Sequence, residues 1–412
     1  MLQSISMEKA IEIVFSYASA AGTEEVLVTD SFERILAEDI EAKFPLPPFR
    51  RSPLDGFALC AADTVGATED SPVTLRISQT VYAGEVPSEP VLAGQTTAVT
   101  TGAPLPEGSD TVIKFEDITQ HGDTITIGYP LRSGDNVVPE GEDIALGERV
   151  LEKGVNLTPS AIGLLASLGM DKVRVFKKPR VAVLSIGDEL LSSGQPLRPG
   201  KIYNSNLYTL SAQVKEAGGT AYPFGTIPDN TATIAAALSR AIEEYDMIIT
   251  TGGASVGRKD LVREAISLSG ADILFWKVGM KPGTPAVCGE KDGKLILGLS
   301  GNPSAAMITF LMLARPIIRT MAGKESGNLP EVSAVMDQPF AKKSKQRRLL
   351  RAVVSWKDGT YRAIPAGMQS PGALKSMVMC NALIDIPAGY GPLQTGEEVN
   401  AILLPPPYCL QG

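Results

Sequence analysis

The sequence predicts a multidomain α/β protein, and three observations carry that expectation. Residues 179–323 alternate continuous apolar runs with helical spacing, the pattern of strand–helix–strand units. Two other regions, about 74–130 and 330–412, read as short alternating strands between turns, the pattern of small β-barrels or sandwiches. The 40 glycines and 30 prolines imply frequent turns between short elements rather than a helical protein. At about 100–200 residues per domain, the 412 residues correspond to two to four domains.

Taken in order, residues 5–20 place Ile5, Ala10, Ile11, Ile13, Val14 and Tyr17 at helical spacing after a serine cap. A short strand, Glu25-Val26-Leu27-Val28, follows, and the linker Phe44-Pro45-Leu46-Pro47-Pro48-Phe49 marks a domain crossing. Strands are expected at 73–77, 96–100, 111–115 and 123–127. Loop, strand and helix return over 138–178, which makes the β unit an insertion in the first domain. Arg180-Val181-Ala182-Val183-Leu184-Ser185 is apolar throughout, as a strand covered on both faces is. Helices near 204–218 and 230–244, a strand at 247–251 and a helix from about Asp260 continue the alternation. Residues 285–289 and 294–299 form a hairpin, and a buried helix spans 304–321.

Composition excludes several function classes. A net charge of −8 and the lack of a basic stripe argue against nucleic acid as partner, and the run 342–348 reads as a solvated face or hairpin edge. Cys60, Cys288, Cys380 and Cys409 show no paired spacing, which removes zinc ribbons, thioredoxin-like motifs and disulfide scaffolds. The lone histidine, His121, cannot seed a histidine metal site or a Ser-His-Asp triad, so any metal is a hard cation on carboxylates. The N-terminus lacks a signal peptide and the longest apolar run, 305–314, is too short to cross a bilayer, so a cytoplasmic protein is expected.

The chemistry gathers around residues 249–303. Three glycine-rich turns there, Thr251-Gly252-Gly253-Ala254-Ser255-Val256-Gly257, Lys281-Pro282-Gly283-Thr284-Pro285 and Ser300-Gly301-Asn302-Pro303, present backbone N–H groups with Lys277 and Lys281 nearby. In an extended strand two lysines four apart face the same way and meet one polyanion; otherwise they are plain surface lysines. Neither the dinucleotide nor the P-loop glycine pattern occurs. The strand ending in Ser185-Ile186-Gly187-Asp188-Glu189 places carboxylates at a sheet edge where open α/β folds bind ligands. Asp188 reads equally as a helix cap and Glu189 as a solvated residue, and Asp229 most simply caps the helix that follows it. Arg51-Ser52-Pro53-Leu54-Asp55-Gly56, Thr100-Thr101-Gly102 and Gly141-Glu142-Asp143, each taken alone, are turns with acids or hydroxyls.

Together these stretches resemble the molybdopterin molybdenumtransferase family, the bacterial MoeA proteins and the E domain of gephyrin and its plant counterpart. The resemblance spans essentially the whole chain and keeps the family's motif order: Ser-x-Leu-Asp-Gly-Phe-Ala (52–58), Thr-Gly-Ala-Pro-Leu-Pro-Glu-Gly (101–108), Gly-Glu-Asp-Ile (141–144), Ser-x-Gly-Asp-Glu-Leu (185–190), Thr-Gly-Gly-x-Ser-Val-Gly (251–257), Lys-Pro-Gly-x-Pro (281–285) and Gly-Asn-Pro (301–303). It implies an elongated α+β first domain (1–48 plus 138–178) with an inserted β domain (49–137). A molybdopterin-binding-like three-layer α/β domain (179–325) and a C-terminal β-barrel (326–412) follow. Two departures stand out: Ser300 where the family often has proline, and Val137-Val138-Pro139-Glu140 where some members carry arginines.

The resemblance further implies an enzyme that takes adenylylated molybdopterin and molybdate, releases AMP and inserts the metal into the dithiolene with magnesium. Its catalytic residues are expected to be Asp55, Asp143, Glu189, Asp229, Asp260, Lys277 and Lys281, with Glu189, Asp229 and Asp260 holding the cation. Thr101, Gly252, Gly253, Ser255, Gly257, Ser300, Pro303 and Ser370 are expected to bind substrate, with Ser376 near the oxyanion. The implied partners are a second copy of the chain, contributing Asp55, Thr101 and Asp143 to a shared site, and a molybdopterin adenylyltransferase. Three other readings stay open at this point: a non-enzymatic molybdopterin-binding scaffold, the adenylyltransferase itself, and a tungstate-inserting paralogue.

Overall fold

The structure, a computed structural model, describes residues 1–253, 260–325 and 328–405. The chain forms two compact units, one of Met1–Glu25 with Arg174–Gly412 and one of Val26–Val173.

The first unit is built on a seven-stranded sheet in the order Leu2–Ile5, Asp272–Val278, Val287–Lys291, Lys294–Leu299, Met247–Thr251, Arg180–Ile186, Thr220–Ile227. The last four of these strands run parallel, so their carboxyl ends share one edge. Arg180–Ile186 is apolar throughout because it feeds two cores. Val181 and Val183 pack with the helices Met7–Phe15, Ser205–Ala217 and Pro303–Thr309, while Ala182, Leu184 and Ile186 pack with Thr231–Glu244 and Leu261–Leu268. This is a three-layer α/β arrangement.

The expectation changes at one edge of this sheet. The first helix spans only Met7–Phe15, with the Ser6 hydroxyl accepting the Lys9 N–H as its cap. The residues before it form an edge strand, Leu2 lying opposite Phe275 and Ile5 opposite Val278. Met1–Glu25 therefore cluster with the later chain rather than with residues 26–48. The buried helix expected over 304–321 is present as Pro303–Met321, and it runs through Arg315-Pro316 because Phe310–Ala314 widen into a π turn that accommodates the proline's missing donor. The continuous run Pro303–Met321 is long and apolar enough to cross a membrane, yet 67% of it is buried inside the protein.

The C-terminal strands Glu331–Met336, Arg347–Lys357, Thr360–Pro365, Ala382–Ile386 and Glu398–Leu403 close into a barrel, Arg347–Lys357 pairing with both Thr360–Pro365 and Ala382–Ile386. The short strand Met280–Lys281 joins it by pairing parallel with Arg347 and Arg348. Arg347, expected on a solvated face or hairpin edge, opens the strand Arg347–Lys357, donates from Nε to Asp385 at 2.7 Å and pairs with Glu8 of the first helix. The second unit carries a six-stranded sheet, Thr111–Lys114, Gly56–Leu59, Gln95–Val99, Val73–Val81, Thr124–Ile127, Thr119–His121. Helix Pro159–Ser167, capped by Thr158, also belongs to it. Cys60, Cys288 and Cys380 are free thiols, and Cys409 lies outside the described residues.

Because Leu184 is fully buried in the second core, Leu184→Ala is expected to destabilise this unit by about 2–5 kcal/mol, measured by urea unfolding. A shift within error would show that the central strand does not carry the fold.

Candidate functional site

The shared carboxyl edge of the four parallel strands assembles four turns from distant parts of the sequence. Ser185 lies opposite both Thr226 and Thr251, and Thr251 opposite Leu299, so Asp229, Gly187–Glu189, Gly252–Gly253 and Ser300–Pro303 emerge side by side. Their packing demands glycine. A methyl group on Gly252, whose φ is +86°, would lie 2.0 Å from the Ile186 carbonyl oxygen, and Gly301 stacks directly on Gly252, its would-be Cβ 3.3 Å from the Gly252 Cα. Two asparagines stitch the turns together. Asn204 Oδ1 accepts from Ser185 Oγ at 2.9 Å and from Leu207 N–H at 3.2 Å, and Asn206 Nδ2 donates to Thr251 Oγ1 at 2.8 Å and to the Gly301 carbonyl at 2.9 Å.

At this edge Asp188 and Asp229 hold each other. The Asp188 N–H donates to Asp229 Oδ2 at 3.2 Å and the Asp229 N–H to Asp188 Oδ1 at 3.3 Å. Neither residue is a helix cap as expected: Asn230 caps Thr231–Glu244, its Oδ1 accepting the Thr233 N–H at 2.9 Å, and Asp188 precedes a short strand, Leu190–Leu191. Lys201 Nζ donates to the Asp188 carbonyl oxygen. The Glu189 carboxylate folds back over Gly187, within 2.4 Å of where a Cβ would stand there. Asp188, Glu189 and Asp229 are all exposed.

Asp260 is different. It is 3% exposed and caps Leu261–Leu268, Oδ1 accepting the Arg263 N–H at 3.2 Å. Its Oδ2 accepts the Trp276 indole N–H at 2.8 Å. Burial raises its pKa, and the two donated bonds oppose that rise only in part. The expected cation triad is therefore not assembled: among the described residues no three His, Cys, Asp or Glu side chains are placed to hold a metal ion. Exposed Glu189 and Asp229, beside Asp188, do present hard oxygen donors at one edge, which suits a magnesium ion bound by one or two carboxylates and completed by substrate oxygens.

The two lysines separate. Lys277 takes a left-handed φ of +67°, which kinks the strand Asp272–Val278 near its end, and its Nζ lies 3.9 Å from the centroid of the Trp276 ring. Lys281 is exposed on the strand paired with the barrel. The expectation that one extended strand aims both ammonium groups alike fails for that reason. Ser255 and Gly257 lie outside the described residues.

Ser370 reaches the same edge from the barrel. The Ser304 hydroxyl donates to the Pro371 carbonyl at 2.6 Å and to the Ser370 carbonyl at 3.3 Å, which ties the loop to the start of the helix after Pro303. Arg351, 1% exposed, holds the loop from beneath by donating to the Met368 and Ser370 carbonyls at 3.1 Å each. Sequence reasoning missed Arg351; the signal was a lone arginine inside the apolar run Leu349-Leu350-Arg351-Ala352. Ser376 is buried and donates to the Ala373 carbonyl at 2.7 Å, so it is closed to an oxyanion. The Ser300 hydroxyl accepts the Asn302 N–H at 3.2 Å, filling the turn that proline often fills.

In the second unit Asp55 and Thr101 come together, Asp55 Oδ1 accepting the Thr101 N–H at 2.7 Å and its hydroxyl at 3.0 Å. These bonds, the backbone one first, hold the exposed carboxyl below its ordinary pKa of 3.8. Asp143 stands in a separate turn, its N–H donating to the Leu46 carbonyl at 3.0 Å, and among the described residues no hydrogen bond joins it to Asp55 or Thr101.

Comparison with known proteins accounts for this arrangement of motifs. Three family models match in succession: "MoeA N-terminal region (domain I and II)" over residues 5–169, "Probable molybdopterin binding domain" over 182–320 and "MoeA C-terminal region (domain IV)" over 333–404. A Bacillus subtilis protein named molybdopterin molybdenumtransferase is 36% identical over 405 residues, covering 97% of this chain and 94% of that protein. The chain belongs to the molybdopterin molybdenumtransferase family. A Staphylococcus epidermidis molybdopterin molybdenumtransferase is 34% identical over 97% of this chain and 95% of its own length. The crystal structure of a molybdopterin biosynthesis MoeA protein from Pyrococcus horikoshii aligns with a TM-score of 0.86 and 32% identity, covering 98% of this chain and all of that one, 100%. The multidomain α/β class and the motif order expected for this molybdopterin molybdenumtransferase family are thus both present.

Two outcomes follow from the site's geometry. Gly252→Ala is expected to abolish ligand binding at this edge and to cost about 1–3 kcal/mol of stability in thermal unfolding, since the turn must move. The Asp55–Thr101 bonds belong to the ionised carboxylate, so their contribution is present above the unfolded pKa and lost as pH falls through the depressed folded value. In an NMR titration the Thr101 amide resonance is therefore expected to move with a midpoint below 3.8; a midpoint at or above it would contradict the geometry.

Proposed function

We propose that this protein is a molybdopterin molybdenumtransferase that uses adenylylated molybdopterin and molybdate, releases AMP and inserts the metal into the dithiolene. The observation that supports it most directly is the convergence of Asp188–Glu189, Asp229, Gly252–Gly253 and Ser300–Pro303 on one sheet edge, with the Ser370 loop tied beside it. Glycine turns at the carboxyl edge of an α/β sheet receive phosphates, and family members of nearly the same length carry this activity in their names.

On this reading the Gly252–Gly253 turn and Lys277 bind the pyrophosphate linkage through charge-assisted bonds, and Lys281 and the Ser370 loop receive the molybdate. The scissile bond joins the AMP phosphorus to the bridging oxygen of the pterin phosphate. It breaks as a water oxygen forms the new bond to phosphorus, giving AMP and the free pterin phosphate; where a molybdate oxygen attacks instead, water must then cleave the adenylyl-molybdate to release AMP. Glu189 and Asp229 would hold magnesium, which when bound neutralises phosphate charge. Asp229 and Glu189 are themselves kept in place by the exchange with Asp188 and by the fold over Gly187. Family resemblance further supports a cytoplasmic homodimer in which Asp55, Thr101 and Asp143 come from the second copy, and an adenylyltransferase as supplier of the substrate.

The test is AMP release by the purified protein given adenylylated molybdopterin, magnesium and molybdate, repeated with tungstate. Release of AMP with formation of the metallated dithiolene is expected; absence of AMP overturns the enzyme reading. Asp55→Ala and Lys277→Ala are each expected to abolish metal insertion while the protein still folds. An equal mixture of the two co-expressed variants is expected to regain roughly a quarter of wild-type activity, as one intact site per mixed dimer predicts. No recovery would place both residues in a site formed within one chain.

A further inference from the structure

Trp276 lies outside the motifs that pointed to the site, yet three charged side chains meet on it. Its indole N–H donates to Asp260 Oδ2 at 2.8 Å, the Lys277 ammonium lies 3.9 Å from the ring centroid, and the Arg263 guanidinium carbon lies 4.5 Å from it. Successive residues of a regular strand point to opposite faces, so a lysine cannot cover the ring of the residue before it. Here it does, because Lys277 adopts φ of +67°, fixed by its N–H bond to the Ala286 carbonyl at 2.8 Å. That backbone distortion has one evident product, the ammonium seated at the indole.

We propose that Trp276 is the positioning residue for Lys277, and that Asp260 acts through Trp276. This rests on the reading of Lys277 as a binder of the substrate's phosphate groups. A free lysine side chain spreads over many rotamers, and a ring beneath the ammonium restricts them before the anion arrives. Asp260 fixes the ring in turn: it is buried, its other oxygen is spent on the Arg263 N–H, and what it offers Trp276 is a hydrogen-bond acceptor. Two cations on one ring repel each other, and a bound polyanion offsets that repulsion, so the cluster is arranged for a di- or polyphosphate rather than a neutral ligand.

The experiment uses the full-length protein and inorganic pyrophosphate as probe, with binding measured by calorimetry and AMP release measured in parallel. Trp276→Leu is expected to weaken pyrophosphate binding about tenfold, and Trp276→Phe, which keeps a ring, about two- to threefold. In a Lys277→Met background Trp276→Leu is expected to add almost nothing, the mark of a residue acting through Lys277. Asp260→Asn, whose single amide oxygen can keep the helix cap only by setting its NH2 donor against the indole N–H, is expected to weaken binding as Asp260→Ala and Trp276→Leu do. Equal losses from Trp276→Leu in both backgrounds, or an Asp260→Asn that binds as wild type, would overturn the proposal. If Trp276→Leu fails to fold, Trp276→Phe is judged alone, and wild-type binding by it overturns the role of the Asp260 bond. The position of Lys277 is checked without any ligand: its ε-methylene proton resonances are expected to be shifted upfield by the ring and to lose that shift in Trp276→Leu. An unshifted wild-type resonance refutes the seating. A wild type that releases no AMP but shows the upfield shift sinks only the functional reading.

Discussion

The absence of a side chain at Gly252 is the constraint on which the site depends. The chain must turn there within 2.0 Å, measured to a hypothetical Cβ, of the Ile186 carbonyl, and Gly301 passes over it in turn, its would-be Cβ 3.3 Å from the Gly252 Cα. With any side chain the four parallel strands could keep their ladders, but the turns beyond them would splay. The sheet would then end in separate loops instead of one continuous wall of backbone donors and carboxylates. Thr251 shows how tightly the layers are joined, its hydroxyl donating to the Ser300 carbonyl at 2.9 Å while accepting from Asn206.

Around that constraint the polar side chains divide into those already spent and those still open. Asn204, Ser185, Ser300, Ser304, Asp260 and the Asn206 amide nitrogen have their bonds to the protein itself. They satisfy backbone and side-chain groups that would otherwise be buried unpaired, which is costly in a low-dielectric interior. Asp188, Glu189, Asp229, Lys281 and Ser370 are exposed, and these are the groups able to exchange water for a ligand. Arg351 belongs with the first set: its buried guanidinium, which among the described residues makes no ion pair, is held by carbonyls, and through them it shapes the Ser370 loop.

Much of the fold was legible in the amino-acid pattern. The run at 180–185 reads as a doubly covered strand, and its alternate residues do enter two cores. The hairpin ending in Val287–Lys291 and Lys294–Leu299 follows from two apolar runs around a Glu-Lys-Asp-Gly turn. The edge strand Leu2–Ile5 was not legible, since its partner lies at Asp272–Val278 and nothing local distinguishes the first five residues from a helix start. The cap at Asn230 instead of Asp229 was a one-residue choice between two good capping groups, decided by the Asp188 N–H that takes up Asp229.

The sequence by itself determined the family, the order of the motifs, the alternation of strands and helices in the α/β region and the acids and lysines available for chemistry. Those depend on local residue type and spacing, which survive being read one residue at a time. Only the tertiary structure decided which groups remain open. It paired Asp188 with Asp229, buried Asp260 beside Trp276, kinked the strand at Lys277 so that its ammonium lies over the indole, and sent Lys281 to the barrel ladder. The physical reason is that hydrogen bonding and burial are settled between segments far apart in the chain. A carboxylate's role follows from which donor reaches it first.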